Sequence, residues 1–210
     1  MGAAMAAVSP MELPNRAYTI HDMVELNSER WPRYEVLDGI LVVSPAPSSD
    51  HQILSDNLQT LLTLQAPSGE TVISASNLRL HADERGTVPD LIVLYPEVET
   101  ARRTWFEADE VLAVVEVVSP GNRTHDRVTK TAIYAEAGIP YYLRTELAPF
   151  QGQGSCHLPV ILVQKLDRDG YQEVERLSSG AVGSLARPFP LKVDPASLLD
   201  PRWQRSLYAG

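Results

Sequence analysis

Three segments decide the fold: VPDLIVLY at 88–95, VLAVVEVVSP at 111–120 and THDRVTKTAIYAEAG at 124–138. The first two are apolar runs, each with one acidic residue, Asp90 and Glu116. Runs rich in Val, Ile and Leu form strands covered on both faces of a sheet. A carboxylate in such a strand loses hydration, which is costly unless it is paired or holds a cation. The third segment reads as a helix that carries Lys130 and stops at Gly138, a natural C′ residue. Two carboxylates and a lysine point to one polar cluster at a sheet edge.

Working outward, RYEVLDGILVVSP at 33–45 reads as a hairpin turning at Asp38-Gly39, a pair that accepts positive φ at both central positions. Before it, TIHDMVELNSER at 19–30 reads as a short helix, with Thr19 as N-cap, Asp22 in the capping-box position and Pro32 as the stop. SSDHQILSDNLQTLLTLQAP at 48–67 is the longest amphipathic segment. Its Ile53, Leu54, Leu58, Leu61, Leu62 and Leu64 mostly fall on one helical face, with Asp56 and Gln59 on the other, which predicts a helix packed across the sheet, capped by Ser49 or Asp50. Residues 70–86 give one or two strands, PYYLRTEL at 140–147 another, and 159–179 a second hairpin around Asp169-Gly170. Asp126 is most simply the N-cap of the helix that carries Lys130.

This order predicts an α/β (α+β) domain, a mixed β-sheet core flanked by helices with additional β-hairpins. The 210 residues suit a single domain over 19–200, with an N-terminal tail at 1–18 and a C-terminal tail at 201–210. Hydrophobic content of 44% and charged content of 21% predict a folded soluble core. No apolar run reaches the roughly 18–20 residues of a membrane span, and the start lacks the pattern of a signal peptide. A lone Cys156 leaves no disulfide framework or cysteine-rich zinc site and fits a reducing cytoplasm. The net charge of −9 argues against a strong non-specific grip on nucleic acid. Phosphate-cradling glycine motifs are absent, Ser119 is not in a G-x-S-x-G elbow, and Cys156 has no matching base.

VPD at 88–90, VEVVSP at 115–120, the spacing of Asp126, Arg127, Lys130 and Tyr134, and AGIPYYL at 137–143 together resemble the PD-(D/E)xK nuclease superfamily. Within it they resemble the bacterial restriction endonuclease-like proteins of the Uma-two type, as do YEVLDG at 34–39 and His51-Gln52. The resemblance covers roughly Thr19 to Asp200 and implies a restriction-endonuclease-like fold. It implies a metal-dependent endonuclease acting on DNA, with Asp90 and Glu116 holding Mg²⁺ or Mn²⁺ and the Val117 carbonyl as third ligand. Lys130 is implied as the electrostatic, water-orienting group, Glu35 as an auxiliary catalytic carboxylate, and His51, Arg127 and Tyr134 as substrate contacts. Arg79, Arg85, Arg123 and Arg144 are further candidates for phosphate contacts. A homodimer is the default for a homo-oligomer that cuts two strands.

These types suit the chemistry. Phosphodiester hydrolysis needs a metal to polarise the phosphate and generate hydroxide, and Mg²⁺ takes hard oxygen ligands, often one or two carboxylates. One departure stands out: the usual superfamily lysine lies two residues after the glutamate, where this chain has Val118. Lys130 on the next helix is the family's substitute, with Tyr134 one turn on. Each residue also has a plainer reading. Asp90 could form a turn, Glu116 a structural salt bridge, Lys130 an i,i+4 pair with Asp126, and Tyr134 could only pack. Glu35 could face solvent, and His51 could simply begin a helix. The same fold kept as a non-catalytic module for nucleic-acid or protein interaction is the alternative, which the acidic charge and Val118 favour. On the nuclease reading Lys130→Met leaves metal affinity and folding nearly intact, since methionine keeps the stem.

Overall fold

The computed structural model describes residues 16–28, 32–44, 46–118 and 125–207, without the side chains of His125, Asp126 and Ser206. Most of the expected N-terminal tail, and Arg123, lie outside them. In chain order come α1 (Ile20–Leu26), β1 (Arg33–Leu37), β2 (Ile40–Ser44), α2 (Ser49–Gln65), β3 (Thr71–Ser74), β4 (Leu78–Arg79), β5 (Gly86–Thr87) and β6 (Leu91–Leu94). There follow β7 (Phe106–Glu107), β8 (Val111–Val118), α3 (Lys130–Glu136), β9 (Tyr141–Glu146), β10 (Val160–Asp167) and β11 (Gly170–Ser178). The chain closes with β12 (Gly183–Leu185), β13 (Leu191–Val193) and α4 (Trp203–Ser206).

The main sheet runs β11-β10-β9-β8-β6-β3. Its one parallel pair is β8 with β9, joined through α3, and the neighbouring pairs are antiparallel. The most apolar run, β8, lies in the interior of this sheet, as its composition predicts. Its side chains alternate between two cores. Ala113, Val115 and Val117 meet Leu54, Leu58, Leu61 and Leu62 of α2, while Val114 meets Tyr134 and Ile139 on the α3 side. Burying each of those leucines contributes about 1.5–3 kcal/mol, which seats α2 across the sheet.

A second sheet, β2-β1-β5-β4-β7, is built partly from two-residue strands. The β1–β2 hairpin turns at Asp38 and Gly39 with φ of 51° and 77°, the paired positive values such a turn requires. Several ends differ from expectation. Helix α1 stops at Leu26, before Pro32, because the Asn27 side chain captures the backbone of Tyr34: Nδ2 donates to the carbonyl and Oδ1 accepts from the N–H. At its start, the Asp22 carboxylate accepts the Thr19 N–H at 2.8 Å, as expected. Ser48, not Ser49 or Asp50, caps α2, its Oγ accepting from the His51 N–H. Asp126 is no N-cap, since it lies inside a π-helical turn, His125–Thr129, that leads into α3. Past Asp200, Trp203 packs against the main core rather than trailing as a tail. Among the described residues no helix is long and apolar enough to cross a membrane.

Candidate active site

Strand pairing brings the acidic residues together. Leu91 on β6 sits opposite Val115 on β8, so Asp90 and Glu116 follow as neighbours at the same end of the sheet. The backbone N–H of Val117 donates to Asp90 Oδ2 at 2.8 Å, which ties Asp90 to the residue after the glutamate. The parallel crossover lays α3 over this end, and its Lys130 and Tyr134, one turn apart, are both buried. Lys130 Nζ donates to Glu116 Oε1 at 2.9 Å, and the Tyr134 hydroxyl donates to the same oxygen at 2.7 Å. Glu116 is 2% exposed and Lys130 5%. Burial, and then the Glu116 charge, push the Tyr134 hydroxyl well above its ordinary pKa, so it stays a donor.

Glu35 arrives from the second sheet. It is 1% exposed on β1, where Val36 beside it is also buried, so strand alternation fails there. Its Oε1 accepts the Val88 N–H at 2.9 Å and lies 3.2 Å from Lys130 Nζ. One ammonium thus spans carboxylates from two sheets. The solvent-facing reading of Glu35 does not hold.

From the other side, His51 in the first turn of α2 reaches Asp90 Oδ2 with Nε2 at 3.0 Å. A carboxylate only accepts, so that nitrogen carries the proton; Nδ1 is buried with no hydrogen-bond partner among the described residues. Burial pushes the Asp90 carboxyl up, but the His51 bond and charge, the Val117 N–H and the Lys130 charge outweigh it and hold Asp90 below the ordinary range. A cleft of about 380 Å³ opens at this pair, lined by His51 and Asp90 together with residues of α2, the β3–β4 connection and the α1–β1 region.

The Uma2 family model, whose description reads "Putative restriction endonuclease", matches residues 20–198. The chain belongs to the Uma2 family. No curated protein matches it. Among solved structures it is similar to "a putative nuclease belonging to DUF820 from Anabaena variabilis ATCC 29413", with a TM-score of 0.63 and 15% identity over 87% of this chain and 98% of the other. At that identity the likeness shows the fold, which is restriction-endonuclease-like.

Restriction-endonuclease-like proteins use divalent metals, and the donor chemistry of this Uma2 chain suits one. Among the described residues no three His, Cys, Asp or Glu side chains converge as a metal site. Mg²⁺ needs only one or two carboxylates, with waters and phosphate oxygens completing the shell, and Asp90 and Glu116 supply two hard carboxylates side by side.

Arg127 sits elsewhere. Its guanidinium grips the fully buried Glu146 at 3.0 and 2.5 Å and reaches the Ala148 and Pro149 carbonyls, while Arg144 holds the same carboxylate at 2.8 Å. Arg127 therefore fastens the π-helical turn to the end of β9 and does not line the cleft. Arg79 pairs with Asp83 and Glu107, and Arg85 with Asp38 and Glu136, all at least partly exposed. Sequence reading gave no site role to Ser55, Gln52 or Asp56, which line the cleft; Gln52 entered only through the resemblance of the His51-Gln52 pair. The i,i+4 step from His51 to Ser55 was the available signal.

Proposed function

We propose that this Uma2 chain is a metal-dependent endonuclease that hydrolyses DNA phosphodiester bonds. The observation that carries the reading is the Lys130 bridge, 2.9 Å from Glu116 and 3.2 Å from Glu35, beside Asp90. That bridge supports the reading, since it holds beside the candidate metal ligands a cation that Val118 cannot supply. Asp90, Glu116 and the Val117 carbonyl would hold Mg²⁺ or Mn²⁺, which when bound polarises the phosphate and activates water. Lys130 orients the attacking water and meets the negative charge that develops on the phosphoryl oxygens. Glu35 fixes the ammonium, the Tyr134 hydroxyl fixes Glu116 Oε1, and His51 fixes Asp90.

A specific observation also favours the non-catalytic alternative. Glu116 and Asp90 already have Lys130, Tyr134 and His51 as partners without any metal. Nicking of supercoiled plasmid with Mg²⁺, Mn²⁺ or EDTA separates the two. The nuclease reading expects nicking with metal, none with EDTA and none by Glu116→Ala; wild type that never nicks, or Glu116→Ala that nicks equally, removes it.

A further inference from the structure

The ion pairs on the α3 side of the main sheet do not balance. In the parallel pair of β8 and β9, Glu116 sits opposite Arg144 and Val118 opposite Glu146. Paired residues share a face of the sheet, so Arg144 stands beside Glu116 on the side that carries Lys130. Strands lie about 4.8 Å apart, which makes these two side chains immediate neighbours. Lys130 is already shared by Glu35 and Glu116. At Glu146 the balance runs the other way, because the guanidiniums of Arg127 and Arg144 both meet this one fully buried carboxylate. A positive charge is therefore in excess next to a candidate metal ligand.

Arg144 carries that excess. Arg127 takes the carboxylate in a two-pronged grip, through Nε and Nη2, and adds the Ala148 and Pro149 carbonyls. Arg144 only approaches it. Its Nε lies 2.8 Å from Glu146 Oε1, yet that buried nitrogen has no hydrogen-bond partner among the described residues, because its N–H does not point at the oxygen. Among the described residues no acceptor takes a hydrogen bond from its terminal nitrogens either. A guanidinium so largely desolvated is costly unless an anion completes it. The side chain is still 13% exposed, so an anion can meet it from outside. Its planar fork fits the oxygens of a phosphate.

We propose that Arg144 docks one phosphate of a nucleic-acid strand beside Glu116. The proposal rests on the endonuclease reading for the nature of the strand, but the contact is read by binding and not by cleavage. A short DNA is used with the full chain, single- or double-stranded, whichever binds more tightly. One phosphodiester at a time is replaced by an uncharged methylphosphonate, and binding is followed by anisotropy with Ca²⁺. In wild type the contacted linkage should cost about tenfold in affinity, the scale of one charge-assisted hydrogen bond. Arg144→Gln should bind unmodified DNA about tenfold more weakly and lose nothing further at that linkage, while the penalties at other linkages persist. Arg144→Lys, which keeps the charge without the fork, should retain part of the penalty. Arg144→Gln should melt with wild type or above it, since Arg127 still holds Glu146. Coupling at one linkage without any cleavage in Mn²⁺ sustains the contact and removes the nuclease reading. No linkage coupled to Arg144 overturns the contact whether or not the DNA is cut, and cutting then leaves the nuclease reading in place. Wild type that binds no DNA removes both. An Arg144→Gln that melts well below wild type makes Arg144 a clasp on Glu146 and also overturns the proposal.

Discussion

At Lys130 a single ammonium answers two carboxylates that are almost wholly out of water. Removing it leaves Glu35 and Glu116 facing each other, so Lys130→Met should lower stability by about 3–5 kcal/mol, the cost of breaking a buried pair. Urea unfolding measures this, and Glu35→Gln in the same chain should recover part of the loss, because one carboxylate is then neutral. This reverses the expectation from sequence, that the change spares the fold, because spacing alone did not show that Glu35 reaches Lys130. Asp90 makes a pH prediction. Its carboxyl is held below the ordinary value of about 3.9, so its contribution is full above that pH and fades as pH falls through the lower folded value. The stability gap between wild type and Asp90→Asn should therefore be wider at about pH 5 than at about pH 3. A gap that does not change with pH removes this role for the carboxylate.

Among the elements, the β1–β2 hairpin aims Glu35, and Gly39 makes its turn possible. Its φ is 77°, and an added Cβ would meet the Ala17 Cβ at 2.7 Å. Gly69 has a φ of 91° but open space around it. Gly39→Ala should lower the melting temperature more than Gly69→Ala does, the excess being the clash with Ala17; equal shifts would mean that the contact relaxes freely. This hairpin was legible from Asp38-Gly39 and its flanking β-rich runs. So were β6, β8, β9 and the β10–β11 hairpin, where apolar runs end at Gly or Pro. The second sheet was not legible as a whole, because β4, β5 and β7 have two residues each and show no period. That is why Glu35 could be named from the resemblance but not placed, and why the cleft wall on α2 went unread: its polar residues look like any solvated helix face.

At the scale of the whole molecule, charge decides how a strand is held. The chain carries −9, and many of its arginines are neutralised by neighbours. Each contacted phosphate of a single strand contributes a slope of about −0.7 to log affinity against log salt. With those arginines held by their carboxylates, the slope at fixed divalent metal should be about −2 or shallower. A much steeper slope in a salt titration would reveal a basic surface beyond the paired arginines.

The bridge between Glu35 and Lys130 also orders events during synthesis. Glu35 leaves the ribosome long before Lys130 does, so the early chain holds a carboxylate whose cation does not yet exist. Until α3 arrives, that carboxylate keeps its water, and the two sheets cannot close over it at low cost. A nascent chain stalled before Lys130 should therefore stay open there and remain a substrate for proteases. Nuclease chemistry, if this site performs it, is then withheld from every incomplete copy.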